Sequence, residues 1–132
     1  MRIDDDDPMW DDHSGGSGHD GPEWEPGDED LARIYWEKLG DTPARDILLY
    51  LIRRPGQLVH RDELGRELRL DPTGRKRLAS VVASRLRPTG AANAATGRSF
   101  PFRWWKKQDG TRYAVKHQTA EVFEAALKTP ES

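Results

Sequence analysis

Charge in this chain is sorted by position, and the sorting constrains what the chain can fold into. Residues 1–30 carry 12 Asp/Glu and one Arg, a net of −11, whereas residues 31–132 carry 11 Asp/Glu and 20 Lys/Arg, a net of +9. An acidic leader on a basic body is the charge pattern of a protein that meets a polyanion. Only five of the first 30 residues are hydrophobic (Met1, Ile3, Met9, Trp10, Trp24), and ten are Gly, Pro or Ser. By composition such a stretch buries too little apolar surface to offset its ordering entropy. Residues 1–28 are therefore expected to form a disordered acidic tail, and residues 29–128 a single small domain. Opposite charge on the two parts leaves a second course open, in which the tail folds back on the basic face. A third is that Trp10 and Trp24 anchor a protein partner, since aromatics in an acidic flexible segment suit a basic or apolar groove.

Several function classes drop out early. The 132 residues include no cysteine, which excludes disulfides, thiol catalysis and thiolate metal sites. No apolar run approaches the roughly 20 residues that span a bilayer. The start, Met1-Arg2-Ile3-Asp4, lacks the layout of a secretory signal, so a cytoplasmic location and no membrane partner are expected. There is no G-x-x-x-x-G-K-[ST] phosphate loop and no G-x-S-x-G nucleophile elbow. Carboxylates in the body are scattered, so no catalytic residues and no cofactor are expected. His13 and His19 stand beside Asp12 and Asp20, which suits adventitious divalent-metal binding and not a framed metal site.

The body reads mostly as helix. Leu31, Ile34, Tyr35 and Leu39 recur at helical spacing and predict a first helix over 29–39, stopped by Gly40. Thr42 as cap and Pro43 at the first helical position open a second, with Ala44, Ile47, Leu48 and Leu51 as its stripe and Pro55-Gly56 as its end. A short extended piece, Gln57-Leu58-Val59, leads to a third helix, where His60 and Glu63 stand at capping-box spacing. A fourth is predicted over 75–87 from Leu78, Val81, Val82 and Leu86, stopped by Pro88-Thr89-Gly90. Residues 91–97 fit a loop or a short extra helix. Asp109-Gly110 between two aromatic, β-prone runs is a hairpin signal. Trp104 and Trp105, as strand neighbours, face opposite sides. Val122, Phe123, Ala126 and Leu127 predict a last helix from about residue 119.

This order, helix, helix, short strand, helix, turn, helix, hairpin, helix, resembles the winged helix-turn-helix domain over residues 42–116. His60-Arg61-Asp62-Glu63-Leu64 through Leu86-Arg87 looks like its two-helix reader, and Phe102-Arg103-Trp104-Trp105 through Tyr113-Ala114-Val115 like its wing. The resemblance implies an α+β, mostly α fold with flanking N- and C-terminal helices. With Arg outnumbering Lys 15 to 6, the chain looks more loosely like small actinobacterial winged-helix proteins of no assigned activity. The link from Pro88 to Ser99 is longer than a minimal winged helix needs.

Residues 73–117 hold 11 Lys/Arg and one acid, Asp109, which places the positive charge on the predicted reader helix and wing. The expected function is binding of double-stranded DNA by a bacterial, nucleoid-associated transcriptional regulator. Arg75, Lys76, Arg77, Ser80, Ser84 and Arg87 would face the major groove, which admits one α-helix and offers guanine O6 and N7 to Arg and Lys. Arg98, Arg103, Lys106, Lys107, Arg112 and Lys116 would hold phosphates. The alternative is a winged-helix adaptor that docks a protein through its basic face or its Trp10/Trp24 tail. Homodimerisation is open, with Leu31, Ile34, Trp36, Val122, Phe123 and Leu127 as the surfaces on offer.

Overall fold

The computed structural model describes residues 2–12, 16–17, 21–70 and 78–128, and of residues 16–17 and 78–80 the backbone alone. Six helices run in the order α1 (Glu29–Leu39), α2 (Pro43–Ile52), α3 (Arg61–Glu67), α4 (Leu78–Arg85), α5 (Pro88–Thr96) and α6 (His117–Lys128). Four strands, β1 (Gly16–Ser17), β2 (Val59–His60), β3 (Arg103–Lys107) and β4 (Gly110–Ala114), form an antiparallel sheet in the order β1-β3-β4-β2. The fold is α+β and mostly α. Among the described residues no helix is long and apolar enough to cross a membrane.

The central helix is α2. Its Ala44, Ile47, Leu48, Leu51 and Ile52 are all fully buried, as the stripe at helical spacing requires. Pro43 takes the first position, but the Thr42 side chain does not cap α2. Its Oγ1 donates to the Leu39 carbonyl (2.9 Å) and closes the end of α1 instead. At α3, His60 is the cap: Nδ1 accepts from the Asp62 amide at 3.0 Å. That leaves Nε2 to carry the proton and donate to the Asp109 carbonyl at 2.8 Å. The capping box does not close, because Glu63 accepts from the Tyr50 hydroxyl.

Pro88 ends α4 and at once opens α5, so residues 88–96 form a helix and not a stop followed by a loop. Pro suits the first position of a helix as well as it breaks the previous one. Alanine is the best helix former, and Gly97 at φ 69° terminates the segment. Asn93 fastens α5 to α1 by accepting from the Tyr35 hydroxyl at 2.7 Å. The hairpin loop is Gln108-Asp109, one residue earlier than the Asp-Gly reading, since Lys107 pairs with Gly110.

The N-terminal segment departs most from the sequence expectation. Residues 2–12 and 21–28 are not a detached tail but part of the packed structure. Trp10 and Trp24 are each 1 % exposed, and Ile3 is buried. Trp24 stands edge-on to Phe123 (4.8 Å between centroids) and Tyr35 (5.7 Å), and its Nε1 donates to the Ser99 carbonyl at 2.9 Å. Trp10 meets Trp105 edge-on at 5.5 Å, in a second apolar cluster with Ile3 and Ala114. Counting hydrophobic residues misses this, because one tryptophan buries roughly 150–250 Å², or about 4–6 kcal/mol of apolar transfer at about 25 cal/mol per Å². The Ile3 amide donates to the Gly56 carbonyl at 2.7 Å. A Cβ on Gly56 would lie 2.5 Å from the Ile3 oxygen, so this approach needs glycine.

The dimer surface offered by the sequence also shrinks. Val122 and Phe123 are core, Leu31 and Trp36 are half-buried against it, and of the six only Ile34 and Leu127 are exposed.

Because Trp24 fills the space between α1 and α6, Trp24→Ala should cost about 3–5 kcal/mol of unfolding free energy in urea. A loss under about 1 kcal/mol would mean that the segment does not belong to the core.

Candidate nucleic-acid interface

The hairpin sorts its side chains onto two faces, because strand residues alternate. Trp104 and Lys106 of β3, with Thr111 and Tyr113 of β4, line a groove shared with α4 and α5; we call this the front. Arg103, Trp105, Lys107, Arg112 and Ala114 alternate to the back, where Trp105 and Ala114 pack under Ile3 and Trp10. The N-terminal segment therefore covers the back of the hairpin.

This sorting corrects the expectation that all the wing cations grip phosphate together. Arg103 is 3 % exposed, donates to the Phe100 carbonyl (2.8 Å) and is ion-paired with Glu23. Lys116 lies 3.6 Å from the same Glu23 carboxylate and over the Trp10 ring. Arg98 makes a two-pronged pair with Asp28, at 3.1 Å from Nε and 2.9 Å from Nη2. Arg112 holds Asp109 in the same way, at 2.8 and 2.9 Å. Four of the six cations predicted to hold phosphate are thus matched by carboxylates, three of the four by Glu23 and Asp28 of the acidic leader. Asp5 also accepts from the His117 and Gln118 amides (2.7 and 2.8 Å), placing a carboxylate at the positive end of α6.

What remains exposed and basic is narrower. Lys106 and Lys107 are exposed at the hairpin end, and Arg87 is exposed where α4 meets α5. Ser84 is half-exposed on α4. Arg75, Lys76 and Arg77 lie outside the described residues, as does the Ser80 side chain; His13 and His19 lie outside them too. Trp10 and Trp24, read as anchors for a partner, are interior and cannot present themselves to one in this structure.

The front also holds aromatic residues outside the predicted DNA-binding set. Phe100, Phe102 and Trp104 form a continuous aromatic wall, with ring centroids 5.3–5.7 Å apart. Tyr113 continues it 6.2 Å from Phe102, and burial pushes its hydroxyl up to about 12. Only Trp104 of the three lies in β3; Phe100 and Phe102 come from the irregular residues just before it, so strand alternation alone does not bring the three rings together.

The chain belongs to DUF6416, a family of unknown function, whose model matches residues 29–130. No curated protein and no solved structure matches it. The matched region begins at α1, so most of the leader that covers the hairpin lies outside it.

The Asp28–Arg98 pair has a definite pH signature. Hydrogen bonds from Arg98 hold the Asp28 carboxyl below its ordinary 3.8. The folded state thus binds that proton less tightly than the unfolded chain. The pair's contribution is fully present above the unfolded value and is lost as pH falls through the lower folded one. Arg98→Gln should therefore destabilise the protein at neutral pH by more than it does in acid, below the folded Asp28 value. Urea unfolding at the two pH values checks this, and an unchanged gap would contradict it.

Proposed function

We propose that this chain is a winged-helix protein that binds double-stranded DNA as a bacterial transcriptional regulator, with α4 entering the major groove and the front of the hairpin lying beside it. The element order supports the fold assignment: α2, β2, α3, α4 and then a hairpin whose β4 pairs with β2. The carrying observation is that Arg87 and Lys106 stay exposed on the α4 side of the hairpin, with Lys107 exposed at the hairpin end on the other face, while Arg98, Arg103, Arg112 and Lys116 are paired with carboxylates. The run Arg75-Lys76-Arg77 immediately precedes α4 in sequence and carries three positive charges. Ser84 is short enough to let the helix lie close to base edges or phosphates. A cytoplasmic, nucleoid-associated location follows from this reading. The interface is smaller than the charge count of residues 73–117 suggests, so phosphate contacts should be few.

A second reading, a protein-binding adaptor, is favoured by the aromatic wall, which offers apolar surface to a protein as readily as to DNA. It no longer draws on Trp10 and Trp24.

Fluorescence anisotropy with labelled duplexes between about 50 and 200 mM salt separates the two. The DNA reading expects Lys106→Gln to lower the salt slope by about one unit, and Arg87→Glu with Lys106→Glu to weaken binding about tenfold or more. Arg112→Gln, on the covered face, should leave the slope unchanged. Absence of retention on any duplex at the low-salt end would leave the adaptor. Equal affinity for a selected duplex and its scramble would reduce the regulator to a nonspecific nucleoid protein.

A further inference from the structure

The groove between the α4–α5 elbow and the hairpin has a volume of about 620 Å³. That is within the range of sites that enclose a small molecule. Phe102 and Tyr113 form its floor and are buried, whereas Phe100 and Trp104 are only half-buried. Apolar rings left unfinished beside one another are surface that a flat apolar partner can cover.

Its charge is as specific as its shape. Among the described residues the lining includes two cations, Arg87 and Lys106, and no carboxylate. The contrast with the other side of the sheet is sharp. There the depression lined by Met9, Leu58 and Lys107 contains the Asp109–Arg112 pair, which cancels its own charge and leaves Lys107 as the one cation beyond it among the described residues. Among the described residues, the leader that supplies Glu23 and Asp28 to Arg103, Lys116 and Arg98 brings no carboxylate into the lining beside Arg87 and Lys106. Positive charge is thus left, among the described residues, without a carboxylate in the lining of this aromatic-walled groove. A cation beside an aromatic face can pair with the carboxylate of an anion whose ring packs on that face, and partial screening from solvent strengthens the pairing.

We infer that this groove binds a small planar aromatic acid, a carboxylate on one or two fused rings. The ring lies against Trp104 and Phe100, and the carboxylate is held by Arg87 and Lys106. Binding needs no DNA. Its regulatory consequence rests on the function proposed above: Arg87 and Lys106 also serve the duplex there, so an acid in the groove would compete with it.

The test uses the full chain labelled with nitrogen-15 and titrated with 1-naphthoate, read on the indole N–H resonances of the five tryptophans. The Trp104 indole should shift saturably with a Kd of about 1 mM or tighter, while those of Trp10, Trp24 and Trp105 stay in place. Arg87→Gln and Lys106→Gln, both surface changes, should each weaken binding about three- to tenfold. Neutral 1-naphthamide should be weaker by a similar factor. A Trp104 resonance that does not move at about 10 mM ligand would overturn the proposal. So would equal binding of the amide, or variants that bind as the wild type does. Thymidine 5′-monophosphate, run in parallel, distinguishes the other source of the same chemistry. If it binds more tightly than naphthoate, the groove reads nucleotides and the small-acid assignment falls. Because the titration contains no duplex, a protein that never binds DNA can still pass it, and a DNA-binding protein can still fail it.

Discussion

Arg103 is a guanidinium almost wholly withdrawn from water, and a charge in that position needs a partner. Glu23 is that partner, 80 residues earlier in the chain. Once Glu23 is fixed there, Trp24 follows directly into the space between α1 and α6. Asp28 falls beside Arg98, and Lys116 comes within reach of the same Glu23 carboxylate. Asp5 and Trp10 then close the back of the hairpin and the start of α6. Removing one partner of such a buried pair is costly, because the other is left charged and unpaired. The acidic leader is thus a structural element, and its Asp5, Glu23 and Asp28 carboxylates bind it to the domain.

This pairing of charge divides the hairpin by function. Its back is a dry contact between tryptophans, flanked by satisfied ion pairs. Its front keeps aromatic rings half open to solvent with two cations that no carboxylate in the groove lining answers. A net-charge argument treats all 11 cations of residues 73–117 as equivalent. The geometry separates the few on the open side, Arg87 and Lys106, from those paired with carboxylates, and the proposed function rests on the few.

Local pattern carried most of the fold. The bounds of α1, the buried stripe of α2, His60 as a cap and the opposite facing of Trp104 and Trp105 all follow from spacing within one element. The start of α5 did not, because Pro88 both ends one helix and begins another, and position alone does not say which. The leader was hidden for a different reason. Its composition averages two large rings with ten Gly, Pro and Ser residues, and its contacts join residues as far apart as Asp5 and His117. The pairing of the cations was hidden in the same way: apart from Asp109, their carboxylates lie outside the stretch in which the charges were counted. The groove was not legible: alternation separated Trp104 from Trp105, but Phe100 and Phe102 precede the strand, and no local pattern says that α4 and α5 stand opposite.

The division of the hairpin into an open front and a covered back is the claim on which the functional account turns. The most direct measurement is amide and indole chemical-shift mapping of the full chain against a duplex recovered by random-oligonucleotide selection. The account predicts shifts at Ser84, Arg87, Lys106 and Thr111, with the Trp10 and Trp105 indoles and the His117 and Gln118 amides unmoved. Shifts centred on Trp10, Trp105 and Arg112, with the Asp5 contacts to α6 released, would contradict it.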